Sequence, residues 1–366
     1  MTLCDRLRQG GLGCLAAISL AAPGWADSLR IASFNTELSR DGPGLLLRDL
    51  TRDKEAQIAA VVAVIARISP DILALQSVDW DYDGAALAAL AARLTQAGAD
   101  YPYRMALRPN SGMATDLDMD GDGRRGGPGD AQGFGAFSGQ GGLAILSRYP
   151  ILGDRVRDFS DLLWRDLSGA LLPEREDGSP FPSPEAQAIQ RLSTTGHWIV
   201  PVALPDGSTV QVLTFHATPP VFDGDEDQNG RRNHDEILLW RAVLDGAFGP
   251  PPQRFVLAGQ ANLDPQDSEG RLDAIRGLLA DPRLQDPRPA SEGAAAAPDQ
   301  GHASPNALDT VDWQNVGRLR VDYVLPSADW RVIDSGVFWP ATDSDGHSDA
   351  IAASRHRLVW VDLDLD

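Results

Sequence analysis

Short apolar segments with the length of β-strands alternate with segments of helical spacing, and this alternation constrains the fold more than any other feature. Residues 29–34, 72–75 and 210–215 form strand-like runs, whereas residues 55–68 place apolar side chains every three or four positions. The strand-like runs outnumber the helical segments and partly occur in adjacent pairs. The pattern therefore predicts an α/β fold with mixed or antiparallel sheets covered by helices.

The same spacing predicts further elements along the chain. Strands are predicted at residues 142–146, 198–203, 255–258, 320–325, 331–338 and 358–363, and helices at residues 85–97, 234–244 and 272–279. Long loops are predicted at residues 104–140, 172–184 and 281–317, and we expect the last to be a partly disordered insertion because it contains an alanine run. Since strand-like runs on both sides of each loop are needed to complete one sheet, residues 27–366 are expected to form a single domain.

The beginning of the sequence has the order of a secretory signal peptide. Basic residues precede an apolar run at 11–23, and the segment ends in the small residue Ala26. The run is too short to span a bilayer, so residues 1–26 predict export to the periplasm or the cell exterior, with a short buried helix as the alternative. Both cysteines, Cys4 and Cys14, fall in this segment, so the mature chain would contain no disulfide.

The charge of the chain limits the partners that it can hold. There are 32 Lys and Arg residues against 52 Asp and Glu residues, which gives a formal net charge of -20 at pH 7. Extended binding of nucleic acid needs clustered basic residues, and this composition disfavours it. A local site where a metal ion meets a phosphate is still compatible with this charge. We expect a monomer without a membrane span.

Polar side chains follow several of the predicted strands, at the positions where sheets usually build their sites. Taken singly, such a residue is more often a hydrogen-bonded structural group than a catalyst. The series as a whole is more informative. Its members are Asn35, His216, Asn262, Asp322 and His356.

These residues lie within short motifs that occur in a fixed order. The motifs are Ser33-Phe34-Asn35, Leu75-Gln76, residues 143–150 (LAILSRYP), Phe215-His216, Gly259-Gln260-Ala261-Asn262, residues 320–325 (RVDYVL) and Ser354-Arg355-His356. Their order resembles that of the endonuclease/exonuclease/phosphatase superfamily, which has the deoxyribonuclease-I-like fold. The resemblance implies a four-layered α/β sandwich, with two packed mixed or antiparallel sheets flanked by helices. It also implies hydrolysis of a phosphoester with the help of Mg²⁺ or Mn²⁺.

The resemblance also implies roles for the polar series. His356, oriented by Asp322, would act as the general base that takes a proton from water. His216 and Asn35 would hold the phosphate, and Asn262 would orient the attacking water. The substrate would be a phosphoester.

Three acidic positions of the family pattern are replaced in this chain. Ser77 follows Gln76 where the family has a metal-binding Glu, Gln260 replaces an Asp, and Arg355 replaces another Asp. Neutral side chains bind a divalent cation far less well than carboxylates do, and an arginine repels it. Two interpretations therefore remain open. One is an exported metal-dependent hydrolase, acting as a phosphodiesterase, a phosphatase or a nuclease. The other is a catalytically impaired, calcium-stabilised binding protein on the same fold.

Other residues near the lost positions are candidates to replace them. Oxygen ligands for the active-site metal could come from Glu37, Gln76, Asp79 and Asp81. Arg355 and Gln260 are candidates to bind the substrate phosphate directly, since a guanidinium group pairs well with phosphate oxygens.

Residues 225–236 match the calcium-loop pattern of alternating oxygen side chains, then glycine, then a glutamate. The calcium ligands would be Asp225, Asp227, Asn229 and Glu236. The preceding segment does not have helical spacing, so the loop is not a true EF-hand. The alternative is an acidic loop that caps the next helix. A second acidic run, at residues 116–123, matches the pattern less completely.

Overall fold

The chain alternates strands with helices, as its apolar spacing predicts. The computed structural model describes residues 28–52 and 54–365, so the predicted signal peptide at residues 1–26 lies outside the described residues. The strands are β1 (Ser28–Leu38), β2 (Ile72–Val78), β3 (Tyr103–Met105), β4 (Gly142–Ser147), β5 (Arg157–Asp158), β6 (His197–Ala203), β7 (Thr209–Phe215), β8 (Phe255–Gln260), β9 (Val311–Trp313), β10 (Gly317–Leu319), β11 (Asp322–Pro326), β12 (Val332–Val337) and β13 (Val359–Asp364). The helices are α1 (Leu45–Arg52), α2 (Ala56–Ile68), α3 (Ala85–Gln96), α4 (Pro184–Ile189), α5 (Gln228–Leu244), α6 (Leu272–Leu279), α7 (Glu292–Ala296) and α8 (His347–Ala353).

The strands form two large mixed sheets. The first has six strands in the order β12-β13-β1-β2-β4-β3, and the second has five in the order β11-β8-β7-β6-β5. β1 pairs in parallel with β2, and β7 pairs in parallel with β8. Their outer neighbours in each sheet run antiparallel to them. As a result, the carboxyl ends of the central strands point to the same edge of each sheet.

The two sheets pack face to face, and helices cover their outer faces. Ile31 of β1 and Val256 of β8 belong to one buried cluster between the sheets. Phe34, on the opposite face of β1, packs in a second cluster with α2 and α3. Leu257, on the outer face of β8, packs in a third cluster with Trp240 of α5. This alternation of side chains along each strand produces the predicted four-layered α/β sandwich, which is confirmed.

The structure corrects the prediction for the stretch at residues 281–317. It contains α7 and β9, and Ala294 is fully buried in the cluster between the sheets. The stretch is therefore packed into the sandwich and is not a disordered insertion. Helices α4, α7 and α8 were not predicted, because five to seven residues provide too few positions to establish a helical period. The eight-residue helix α1 was not predicted either. Within residues 28–52 and 54–365, no helix is both long and apolar enough to cross a membrane.

Candidate active site

Strands from both sheets end at one edge of the sandwich, and this edge collects the predicted polar residues. In the first sheet, Asn35 lies opposite Gln76. In the second, Asp322 lies opposite Gln260, and His216 follows β7 in a bridge to Gln260. A hydrogen bond of 2.5 Å from Asn35 Nδ2 to Gln260 Oε1 connects the two sheets. The group that we call the strand-end centre comprises Asn35, Gln76, His216, Gln260, Asn262, Asp322 and His356.

His356 and Asp322 form a buried pair within this centre. Nδ1 of His356 lies 2.9 Å from Oδ2 of Asp322, which also accepts a hydrogen bond of 2.8 Å from the hydroxyl of Thr310. Because a carboxylate only accepts, Nδ1 carries a proton, and Nε2 faces the centre. The indole of Trp313 meets the imidazole edge-on, with 5.6 Å between ring centroids. The pair has the orientation that a general base requires.

The side-chain amide of Gln260 lies in the middle of the strand-end centre. Its Nε2 donates to Oδ1 of Asn262 at 2.6 Å and lies 3.5 Å from Nε2 of His356. Asn262 donates in turn from Nδ2 to the carbonyl of Ala217 at 2.8 Å. Together with the bond from Asn35, these contacts place a neutral amide network where the resemblance implies a carboxylate.

The backbone around Gln260 explains how the amide reaches this position. A Cβ atom on Gly259 would lie 2.6 Å from the carbonyl oxygen of Phe215, so only glycine allows β7 and β8 to approach so closely. Asn262 has a φ of 52°, in the left-handed region that asparagine tolerates better than most residues. Gly259 thus brings the end of β8 close to β7, and the left-handed backbone of Asn262 ends the extended run after Gln260.

Several polar atoms of the strand-end centre are buried among the described residues without a hydrogen-bond partner. They are Nε2 of Gln76, Nδ1 of His216 and Oδ1 of Asp322. Burial lowers the pKa of His216 to about 3, and the nearby His356 acts in the same direction. His216 is therefore neutral near pH 7. Unpaired polar groups are rare in folded proteins, and their concentration here indicates a position for a polar ligand.

Glu37, a predicted metal ligand, is paired with Arg355 instead. Its carboxylate accepts hydrogen bonds from Nε of Arg355 at 2.7 Å and from the Arg355 backbone N–H at 2.8 Å. Burial opposes ionisation of Glu37, but the bonds from Arg355 outweigh it and hold the pKa of Glu37 below its ordinary value. The side chain of Arg355 is 64% exposed, so it extends from this pair into solvent beside the strand-end centre.

Asp79 and Asp81 also have structural partners. Asp79 accepts two backbone N–H groups, from Arg40 and Gly141, each at 2.9 Å. Burial raises the pKa of Asp79, and these two bonds offset the effect only in part. Asp81 accepts the N–H groups of the first two residues of α3, each at 2.8 Å, and thereby caps that helix. Their contacts explain both residues as loop and helix supports, not as metal ligands.

The residues of the strand-end centre do not fit a Mg²⁺ or Mn²⁺ ion. Such hard cations favour several carboxylate oxygens, whereas this centre has one carboxylate, Asp322, which is paired with His356. Its other oxygen ligands are neutral amides, and the guanidinium group of Arg355 lies beside them. Within residues 28–52 and 54–365, one group of acidic or histidine side chains is close enough to share an ion. It consists of Asp118, Asp120 and Asp130, whose oxygens lie within 4.8 Å of one another, and it contains no member of the strand-end centre.

Comparison with known proteins identifies the family. A profile of the Endonuclease/Exonuclease/phosphatase family matches residues 32–356. The chain belongs to this family. Its members are generally phosphoester hydrolases. No curated protein matches the sequence.

Solved structures share the fold. The endonuclease/exonuclease/phosphatase from Beutenbergia cavernae DSM 12333 has a TM-score of 0.53 at 20% identity, covering 93% of this chain and 72% of that chain. The endonuclease/exonuclease/phosphatase family protein from Bacteroides thetaiotaomicron has a TM-score of 0.50 at 14% identity, covering 93% of this chain and 98% of that chain. At these identities, the likeness supports the common architecture alone.

Two residues that support the family's His–Asp pair were not predicted. Thr310 donates to Asp322 from a loop, and no local pattern marks it. Arg357 follows His356 in the chain and supports this segment with two contacts. Its Nη1 donates to the carbonyl of Ser354 at 2.5 Å, and its guanidinium group stacks on the ring of Trp339 at 4.3 Å. Burial lowers the pKa of Arg357 to about 10, so it stays protonated near pH 7. Its charge just before an apolar strand, next to a histidine, was a usable signal.

In the region of the predicted calcium loop, the loop and helix divide at a different place from the one that the sequence pattern implies. Helix α5 begins at Gln228, six residues before the predicted start, so Asn229 and Glu236 are helical. Asp227 pairs with Arg271 at 2.7 Å. Asp225 is exposed and joins no group able to share an ion. The four predicted ligands therefore do not converge on one point.

Glu236 has a structural function inside the protein. Its carboxylate accepts the backbone N–H groups of Thr194 and Thr218, each at 2.6 Å. Burial raises the pKa of Glu236, and the neighbouring Arg232 and these N–H groups partly offset that effect. Glu236 thereby fixes the segment that follows His216 against α5.

We expect Glu236→Ala to lower the free energy of unfolding by about 2–4 kcal/mol, because it leaves the N–H groups of Thr194 and Thr218 without their acceptor and the buried charge of Arg232 without its nearby carboxylate. Urea unfolding in calcium and in chelator measures this loss, which should be the same in both. The exposed Asp225→Ala variant is the control and should be unchanged. A calcium-induced rise in Tm that Asp225→Ala abolishes would contradict this account.

We expect the ring resonances of His216 not to titrate between about pH 5 and pH 8, because burial disfavours its charged form. The pKa of His216 is lower in the folded state than in the unfolded state, so folding favours the neutral ring. The contribution of this neutral ring to stability is complete above about pH 6.5 and is lost as the pH falls. NMR titration measures the resonances, which His216→Gln assigns by their disappearance. A titration midpoint of the His216 resonances near the ordinary pKa of histidine would contradict this prediction.

Proposed function

We propose that the protein binds a phosphoester at the strand-end centre and that metal-assisted hydrolysis is impaired there. The observation that carries the proposal is the position of Gln260. Its amide lies between Asn35 and Asn262, hydrogen-bonded to both, where a metal-binding carboxylate is implied. The nearby carboxylates that could replace it, those of Glu37, Asp79 and Asp81, are each hydrogen-bonded to other groups of the protein.

The phosphate would be held by hydrogen-bond donors, one neutral and one positively charged. Gln76 offers the buried, unpaired N–H bonds of its Nε2. Arg355 contacts Glu37 through Nε and Nη2, and among the described residues its Nη1 has no protein partner. A guanidinium group that keeps free N–H bonds at an exposed position is well suited to phosphate oxygens. Arg355 would thereby supply the charge that a metal ion supplies in related hydrolases.

The intact pair of His356 and Asp322 favours a second candidate function, slow hydrolysis of the bound phosphoester. Nε2 of His356 would take a proton from water as the water attacks phosphorus, and Asp322 would stabilise the resulting imidazolium. The same proton would then pass to the leaving oxygen. Without a cation to neutralise the developing phosphate charge, the rate depends on Arg355 and the amides alone.

Export to the periplasm or the cell exterior is part of the proposal, supported by the basic–apolar–small order of residues 1–26. A monomer and a small phosphoester are the expected state and substrate. The formal net charge of -20 argues against a long nucleic-acid duplex as the partner.

We expect the purified protein to bind phenyl phosphate in calorimetry, and Arg355→Gln to weaken that binding about tenfold, since it removes the charged donor. Arg124→Gln, an exposed change in the loop at residues 104–140, is the matched control and should bind normally. Absence of phenyl phosphate binding by the wild-type protein would refute phosphoester recognition.

Turnover of bis(4-nitrophenyl) phosphate tests the loss of metal assistance. We expect the wild-type rate to be the same in Mg²⁺, in Mn²⁺ and in chelator. The triple variant Ser77→Glu, Gln260→Asp and Arg355→Asp should gain Mg²⁺-dependent turnover by about 100-fold or more, which His356→Ala should abolish in the same background. Mg²⁺-dependent turnover by the wild-type protein, lost in His356→Ala, would favour the metal-dependent hydrolase instead.

A further inference from the structure

A cleft of about 540 Å³ opens beside the strand-end centre. Its walls come from the loop around residues 119–134, from residues 190–194 and from residues 218–232, and we call it the loop cleft. Thr218 belongs to its lining and lies two residues after His216, so the segment leaving the strand-end centre becomes a wall of the cleft. The volume suits a small organic molecule.

Two aromatic side chains line the loop cleft and are largely open to solvent. Phe134 is 74% exposed and Phe222 is 91% exposed. Met119, which lines the same cleft, is fully buried. Exposure of a large apolar side chain to water is unfavourable in free energy. Two exposed phenyl rings at one cleft therefore indicate a surface that a ligand covers.

The polar groups that line the loop cleft mostly accept hydrogen bonds. Asp120, Asp223 and Glu226 contribute carboxylates. Oε1 of Gln190, which is 2% exposed, is buried without a partner. The basic side chain in the lining is Arg232, whose guanidinium donates to three main-chain carbonyls and is engaged by them. The carboxylates of the lining therefore repel anions.

We propose that the loop cleft binds an organic cation, an amine or quaternary ammonium group carried on an apolar body. Phenyl rings attract a cation to their faces, and carboxylates at the same cleft add charge attraction. An N–H group of the ligand would satisfy Gln190. Because the whole chain is acidic, charge alone would attract cations anywhere, and the exposed phenyl rings are what distinguish this cleft. The inference does not depend on phosphoester binding at the strand-end centre.

The test compares 2-phenylethylamine, which is cationic at neutral pH, with 2-phenylethanol, which has a similar shape and no charge. Calorimetry on the full protein should give binding of the amine about tenfold tighter than binding of the alcohol. Phe222→Ala and Glu226→Gln should each weaken the amine about threefold or more. Tyr82→Ala, which removes a ring that is 89% exposed outside the cleft, and Asp329→Asn are matched controls and should leave binding unchanged.

Equal affinity for the amine and the alcohol would overturn the proposal, as would undetectable binding of the amine at millimolar concentration. Retention of full affinity in both cleft variants would place the amine elsewhere and overturn it as well. A titration with Ca²⁺ covers the inorganic alternative. If Ca²⁺ displaces the amine and Asp118→Asn prevents the displacement, the cleft belongs to a metal site formed with Asp120 and Asp130, and the organic cation is excluded.

Discussion

The packing of the two sheets, face to face, sets every distance in the strand-end centre. Ile31 and Val256, buried between them, keep β1 and β8 adjacent, and Asn35 and Gln260 lie further along the same two strands. Neither sheet contains the centre alone, since His356 precedes a strand of the first sheet and Asp322 begins a strand of the second. The apolar core thus holds the polar groups in register.

Within that frame, the amide of Gln260 stands at a position where the family resemblance implies a carboxylate. The pair of His356 and Asp322 keeps the geometry of a general base and its orienting carboxylate. Around it, Gln260 forms hydrogen bonds in place of binding a cation, and Glu37 is neutralised by Arg355. These changes are mutually consistent, because removal of a dication from a buried site requires removal of the carboxylates that would otherwise repel one another. The proposed function, binding of a phosphoester with impaired hydrolysis, rests on this combination of residues.

The family resemblance predicted the layers. Polar residues at the strand ends marked five members of the strand-end centre, because strand ends at one edge of a sheet bring separated residues together. The sequence was ambiguous where one pattern serves two structures. The acidic run before α5 fits a calcium loop and also the start of a helix, and Glu236 could be assigned only once its buried partners were known. Asp81 similarly resembles a ligand but caps α3. The loop cleft joins three distant segments, so no local pattern marked it.

The central claim is that the amides of Asn35, Gln260 and Asn262 occupy the middle of the centre and do not bind a divalent cation. A crystal soaked in millimolar Mn²⁺ and measured at the manganese absorption edge tests it directly. The account predicts no anomalous peak at coordination distance from the side chains of Asn35, Gln260 and Asn262. A peak at that position, removed by chelator, would contradict it and restore the metal-dependent hydrolase.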